Sequence, residues 1–103
     1  MKAAALSFEV IWAHWKDDAP IYRALEVFAS ERIWGKPKEF DIGQAMAVSH
    51  GGNVIAALFY TNFDPDCGTI EMSCAADSPR WLTRNVLREM FEFPFTKLEC
   101  QAV

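Results

Sequence analysis

One segment of the sequence places a helix start beside a row of positive charges. Ser78 followed by Pro79 is typical of a helix N-terminus, because serine caps a free backbone N–H and proline loses no donor there. Arg80, Arg84 and Arg88 follow at intervals of four, which puts them on one side of the predicted helix. Free N–H groups and positive charge both favour an anion. Ser78 with Arg80 to Arg84 is therefore a candidate anion site, and the alternative is a capped helix with a solvated basic stripe.

Glu71 is the second candidate for chemistry. It stands in a run of apolar residues that predicts a strand, and alternation puts its side chain on one face with Ser73 and Ala75. A carboxylate that is partly buried in such a place has a raised pKa, which suits it to proton transfer near neutral pH. The alternative is a polar residue on the open face of a sheet.

The histidines and cysteines do not form a recognisable catalytic or metal-binding set. Cys67, Cys74 and Cys100 contain no CxxC spacing, and a predicted helix separates His14 from His50. This pattern favours reduced thiols and predicts neither a metal site nor an activated cysteine nucleophile. Cys74 and Cys100 are expected on neighbouring strands as small apolar side chains.

Strands and helices in alternation are predicted to position these residues. Gly51 and Gly52 lie between two apolar runs and predict a tight hairpin, because such turns need a positive φ. A helix before the last strand predicts that this strand runs parallel to the one before it. The predicted elements are a strand (6–12), a helix (21–34), a three-strand meander (44–49, 53–61, 69–76), a helix from Ser78 to Pro94 and a last strand (98–103). This order predicts one mixed α+β domain over residues 1–103.

Three segments carry a resemblance to a known family: the hairpin at 50–57 (HGGNVIAA), the segment 68–73 (GTIEMS) and the segment 77–84 (DSPRWLTR). They resemble the GNAT family of N-acetyltransferases, in particular a subgroup often found in phages and prophages. The likeness covers residues 44–103, and the first forty residues match in element order alone. It implies a GNAT-like mixed sheet truncated after its fifth strand. Either the chain is a truncated form, or a second copy completes the fold.

The resemblance implies an acyl-CoA-dependent N-acyltransferase with acetyl-CoA as cosubstrate. In the family, acetyl-CoA lies between the fourth and fifth strands, and its pyrophosphate binds N–H groups at the start of the following helix. Glu71 is similar to a glutamate that takes a proton, through water, from the attacking amine. The implied cofactor-binding residues are Ser73, Cys74, Ala75 and Ala76 on the fourth strand and Ser78, Arg80, Trp81, Leu82, Thr83 and Arg84 after it.

The segment 80–84 departs from the family pattern, because it lacks the glycines of the usual pyrophosphate loop. Either the bulky side chains of Trp81 and Leu82 block the pyrophosphate, or Arg80 and Arg84 supply charge in place of backbone donors. The departure leaves both outcomes open.

Charge and hydropathy limit the classes of partner. The formal net charge of −4 disfavours a nucleic-acid-binding domain that would use the arginine row. No apolar run approaches the ~20 residues of a membrane span, and Glu9 interrupts the apolar start of the chain. A cytoplasmic protein with neither a nucleic-acid nor a membrane partner is therefore expected, and the resemblance implies that it acts on the amine of a small molecule or protein.

A non-catalytic role is the alternative. A GNAT-like interaction domain would dock a partner, or a second copy, through an exposed final strand at 98–103. The apolar edge of that strand also predicts a homo-oligomer, a dimer or a larger species.

Overall fold

The computed structural model describes residues 8–40 and 42–103. In chain order the elements are strand β1 (Phe8–His14), helix α1 (Ala19–Trp34), strands β2 (Gly43–His50), β3 (Asn53–Asp64) and β4 (Thr69–Ala76), a 3-10 turn (Pro79–Trp81), helix α2 (Arg84–Glu92) and a π-helical turn (Phe93–Lys97). The predicted α+β class and the order strand, helix, three strands, helix are confirmed. Residues 6 and 7 of the first predicted strand lie outside the described residues.

The four strands form one sheet in the order β1-β2-β3-β4, and all neighbours are antiparallel. The predicted hairpin is confirmed, since Gly51 and Gly52 join β2 to β3 with φ values of 62° and 85°. These left-handed values are the ones that glycine adopts at little cost. Near its end β3 loses register with β4 between Thr61 and Asp64, and Asn62 takes a φ of 55° there.

Side-chain alternation gives the sheet two buried faces. On one face small alanines of the central strands allow α1 to approach closely, and Phe59 packs there against Tyr22 and Leu25. On the other face Leu58 and Tyr60 pack beneath α2 and the 3-10 turn. The Tyr60 hydroxyl donates to the Met90 carbonyl and joins the sheet to α2. Each large apolar side chain buried in this way contributes roughly 1.5–3 kcal/mol.

The second helix differs from its prediction at both ends. Trp81 is buried in the core, so the chain forms a 3-10 turn there and leaves helical geometry at Leu82. Helix α2 then begins after Thr83, whose hydroxyl accepts from the Val86 N–H at 3.2 Å. At the other end the chain does not stop at Pro94 but widens into the π-helical turn. Proline has no N–H to donate, so the wider turn loses no hydrogen bond at that position.

The predicted last strand is wrong. Over the described residues 98–103 there is a single isolated bridge, in which Ala102 lies parallel to Thr69. The positive φ of Glu99 interrupts extended backbone before that bridge. Cys100 is therefore buried outside any strand and is not on a neighbour of β4, as had been expected. Self-association through a final strand loses its structural basis, and the oligomeric state stays a prediction.

Glu26 fastens the connector between α1 and β2. Its carboxylate is almost fully buried and accepts from the Phe40 N–H at 2.7 Å and from the Arg23 guanidinium at 3.2 Å. We expect Glu26→Ala to lower the free energy of unfolding by about 1–3 kcal/mol, because it leaves a backbone N–H without its acceptor. Exposed Glu31 on the same helix is the control, and Glu31→Ala should change the free energy of unfolding by less than about 0.5 kcal/mol. Urea denaturation measures both, and equal losses would contradict the prediction.

Candidate functional site

Two of the predicted cofactor-binding residues line one groove at the end of β4. Ser78 and Arg80 lie there with Phe8, His50 and Ile55, around a volume of about 600 Å³. We call this the turn groove. The Ser78 hydroxyl accepts from the Arg80 N–H at 3.2 Å, so the predicted cap at Ser78 is confirmed for the 3-10 turn.

His50 is half-buried and also lines the turn groove. Its ring is stacked on Phe8, with 4.5 Å between ring centroids and 18° between ring planes. The groove thus has an imidazole and a guanidinium among its lining groups. The sequence signal was weak, because His50 and Arg80 are thirty residues apart and only the sheet brings them together.

The other predicted residues after β4 have separate environments. Trp81 directs its side chain into the core, whereas Leu82 and Arg84 are exposed. Thr83 lines a neighbouring groove of about 370 Å³ that shares Phe8 with the turn groove. Because Trp81 is withdrawn into the core, its ring does not fill the space in front of the helix start.

The predicted residues on β4 lie along an edge of the sheet. Ser73, Cys74 and Ala75 pair on the inner side with β3. On the outer side, the bridge at Thr69 is the backbone pairing that the described part of the chain makes with β4. Every second residue of an edge strand directs its N–H and C=O away from the sheet. Desolvation raises the pKa of the Cys74 thiol, although part of the residue is exposed, so a thiolate nucleophile is disfavoured there.

Glu71 lies near the opposite end of β4 from the turn groove. It is exposed and not partly buried, which agrees with the alternative of a polar residue on the open face of the sheet, and it accepts from the Asn62 amide at 3.0 Å. Ala76 lies five positions after Glu71, a distance of about 16 Å along a strand. The predicted proton acceptor and the predicted anion site are therefore far apart, joined by the open edge of β4.

An ion pair that the sequence did not reveal holds the exit of β4. The Arg32 guanidinium of α1 donates to Asp77 through Nε at 2.6 Å and through Nη2 at 3.1 Å. It also lies over the Phe28 ring, 3.6 Å from its centroid. The Asp77 N–H donates to the Ile55 carbonyl at 2.8 Å. Helix α1 thus fixes the point where β4 passes into the turn groove.

The ion pair of Arg32 with Asp77 should make the stability of the protein depend on pH. Hydrogen bonds from Arg32 lower the pKa of Asp77 in the folded protein. A carboxylate whose pKa is lower in the folded than in the unfolded protein stabilises the fold at pH values above its unfolded pKa of about 4. That contribution is lost as the pH falls through the folded pKa. Asp77→Asn should therefore lower stability at pH 7 and change it little near pH 2. Urea denaturation at both pH values measures this, with exposed Asp66→Asn as the control. A loss at pH 7 that persists undiminished near pH 2 would contradict it.

A larger groove lies at the other end of the sheet, where β1 and β3 end and β2 and β4 begin. Its volume is about 720 Å³. We call it the aromatic groove; its lining residues are His14, Trp15, Ile42, Gly43, Gln44, Tyr60, Asn62, Phe63, Ile70, Phe93 and Leu98. Asn62 is the residue that donates to Glu71, so the predicted proton acceptor stands beside this groove.

Two further properties apply to residues 8–40 and 42–103. None of their helices combines the length and apolar character that crossing a membrane requires. Nor does this part of the chain bring three His, Cys, Asp or Glu side chains together in a way that could hold a metal ion.

Comparison of the chain with protein-family models, with curated proteins and with solved structures gives no match. The assignment of a function therefore depends on the residues and on their geometry.

Proposed function

We propose that this chain is an acyl-CoA-dependent N-acyltransferase of GNAT type, which transfers an acetyl group from acetyl-CoA to an amine. One observation carries the proposal: the outer edge of β4, beside which the described residues place no further strand, leads into the turn groove, where Arg80 and Ser78 lie with His50. An extended polar chain that ends in phosphates has the chemistry to occupy such a path.

The edge of β4 is the proposed binding site for the pantetheine arm. Its outward N–H and C=O groups, from Ser73 to Ala76, can pair with the amides of an extended ligand as they would with a further strand. The backbone would position the thioester without a side-chain nucleophile, which fits a direct transfer that depends mainly on orientation.

The turn groove and the start of α2 are the proposed site of the pyrophosphate. Arg80 and Arg84 are exposed cations, and the first-turn N–H groups of Arg84 and Asn85 have no carbonyl partner within the helix. Trp81 is buried, so its side chain does not block the pyrophosphate. This favours the outcome in which Arg80 and Arg84 supply charge in place of the backbone donors of the missing glycines. Leu82 is exposed.

Glu71 is the proposed proton acceptor. The nitrogen of a neutral amine attacks the thioester carbonyl, a C–N bond forms, and the C–S bond breaks to release coenzyme A as its thiolate. The proton of the amine passes through water to Glu71, and the thiolate is then protonated from solvent. The Asn62 amide fixes the carboxylate at 3.0 Å for this role.

The same open edge supports the non-catalytic alternative in a changed form. Since residues 98–103 form no strand, strand addition by a partner would use the outer edge of β4. The two proposals differ in the ligand that the edge accepts, and a cofactor titration separates them.

The test is a titration of the full chain with acetyl-CoA, followed by backbone amide shifts in NMR. We expect saturable shifts on Ser73–Ala76 and on residues 78–84. Arg80→Ala should weaken binding at least about tenfold, because it removes a charged partner of phosphate. Exposed Arg88, further along α2, is the matched control, and Arg88→Ala should stay within about twofold. Absence of shifts at millimolar acetyl-CoA would contradict the proposal and favour the interaction domain.

A further inference from the structure

We infer that the aromatic groove binds an uncharged aromatic ring, and that under the proposed function this ring belongs to the amine acceptor. The second half of the inference rests on the proposed function, whereas binding of the ring does not. Three large apolar side chains that the fold leaves exposed meet at this groove: Trp15 at 38%, Phe63 at 42% and Ile42 at 65%. Converging exposed apolar side chains of this kind mark binding sites.

The wall that carries Trp15 is held in place by the backbone. The Trp15 N–H donates to the Gly43 carbonyl at 3.2 Å, which ties the turn after β1 to the first residue of β2. The same turn is closed by Asp18, whose carboxylate accepts from the His14 N–H at 2.9 Å. A ligand therefore meets a formed surface and does not have to order it, which lowers the cost of binding.

The charge of the groove selects a neutral ligand. Among the eleven described residues that line it, none carries a permanent charge, and the polar side chains are His14, Gln44, Asn62 and the Tyr60 hydroxyl. The Tyr60 hydroxyl is engaged by the Met90 carbonyl. An anionic group placed among these residues would lose its hydration without gaining a cationic partner, and the carboxylates nearest to them, Asp17 at 3.6 Å from His14 Nδ1 and Glu71 on Asn62, would repel it. An uncharged ring loses little hydration and gains apolar contact.

His14 lines the groove and can supply a hydrogen-bond donor to such a ligand. Its Nδ1 accepts from the backbone N–H groups of Lys16 at 3.2 Å and Asp17 at 3.3 Å. With Nδ1 used as an acceptor, Nε2 is the ring nitrogen left to donate. This donor, with the Gln44 amide, gives the groove a few polar points within an apolar wall, the usual make-up of a small-molecule site.

The size and the position of the groove agree with an amine acceptor. Its volume of about 720 Å³ falls in the range of small-molecule sites. Asn62 belongs both to the groove and to the hydrogen bond with Glu71. A ring in the groove would thus place an attached amine on the side of the proposed proton acceptor.

The test uses 5-fluoroindole as the probe, titrated into the full chain and followed by ¹⁹F and amide NMR. We expect saturable binding with amide shifts at Trp15, Gly43 and Phe63. Trp15→Ala and Phe63→Ala should each weaken it at least about tenfold, as removal of an aromatic contact does. Both residues are substantially exposed, so the variants should fold. Phe91, 38% exposed on α2 and outside the groove, is the matched control. Indole-5-carboxylate should bind at least about tenfold more weakly than the neutral probe.

The outcomes separate this inference from the proposed function. Absence of saturation, equal weakening by Phe91→Ala, or equal affinity for the carboxylate would overturn the inference. Shifts of the groove residues on concentrating the chain without probe would show that a second copy fills the groove, which would also overturn it. Binding of the probe without binding of acetyl-CoA would leave the ring site standing and reject the acyltransferase.

Discussion

Replacing Phe59 by alanine should lower the free energy of unfolding by about 3–5 kcal/mol, as expected for truncating a buried aromatic side chain. Phe59 is 0% exposed in the centre of the sheet, on the face covered by α1. Its ring is stacked on Phe40 with 4.1 Å between centroids and meets Tyr22 edge-on at 5.2 Å. The change removes two ring contacts and leaves a cavity that rigid neighbours cannot fill.

Phe63 on the same strand gives the matched control. It is 42% exposed, and Phe63→Ala should cost less than about 1 kcal/mol. Urea denaturation followed by circular dichroism measures both variants. Since small domains have only about 5–15 kcal/mol of stability in total, Phe59→Leu provides a milder variant in case the alanine protein does not fold. Similar losses at positions 59 and 63 would contradict the assignment of Phe59 to the core.

The elements that the sequence predicted are those set by neighbouring residues. The hairpin follows from Gly51 and Gly52, and the end of α1 follows from Gly35, which takes a φ of 77° as its C-cap. The alternation that put Glu71 on one face of its strand is likewise local. Such features need no knowledge of the rest of the fold.

The features that were missed depend on residues distant in sequence. The break before α2 arises because Trp81 is buried against the sheet, and this tertiary contact overrides the continuous helical spacing. The pair of Arg32 with Asp77 joins positions 45 residues apart. The prediction of a last strand was wrong because an apolar pattern alone does not make a strand. Residues 98–103 have a single isolated bridge to Thr69 and lack the regular backbone partners that a strand requires.

The candidate site shows the same division. Ser78 and Arg80 were found because a cap and a cation are visible in the sequence, whereas His50 joined them through the sheet alone. The aromatic groove was not predicted at all. Its walls come from the turn after β1, the ends of three other strands and the chain after α2, and nothing in any one of these segments indicates that they meet.

Replacing Gly43 by alanine should abolish the aromatic groove while leaving most of the fold in place. Gly43 is the first residue of β2, opposite Thr61, and a Cβ built on it would overlap the backbone carbonyl of Tyr60. Because the obstacle is backbone and not a flexible side chain, the end of β2 must move away from β3. We expect a loss of about 1–3 kcal/mol in the free energy of unfolding, typical of overpacking. The hydrogen bond from Trp15 to the Gly43 carbonyl should be broken by the same movement.

Binding of 5-fluoroindole tests the Gly43→Ala variant more specifically than its stability does. Displacement of Trp15 should reduce the affinity for 5-fluoroindole at least about tenfold, since one aromatic wall is lost. Gly35→Ala is the control, because a Cβ there meets no atom within 4 Å and the substitution costs only the strain of its positive φ, about 1 kcal/mol. The control should therefore lose stability and keep affinity. If Gly43→Ala bound the probe as well as Gly35→Ala does, the groove would not depend on the junction of Trp15 with β2, and the wall would have to be formed in some other way.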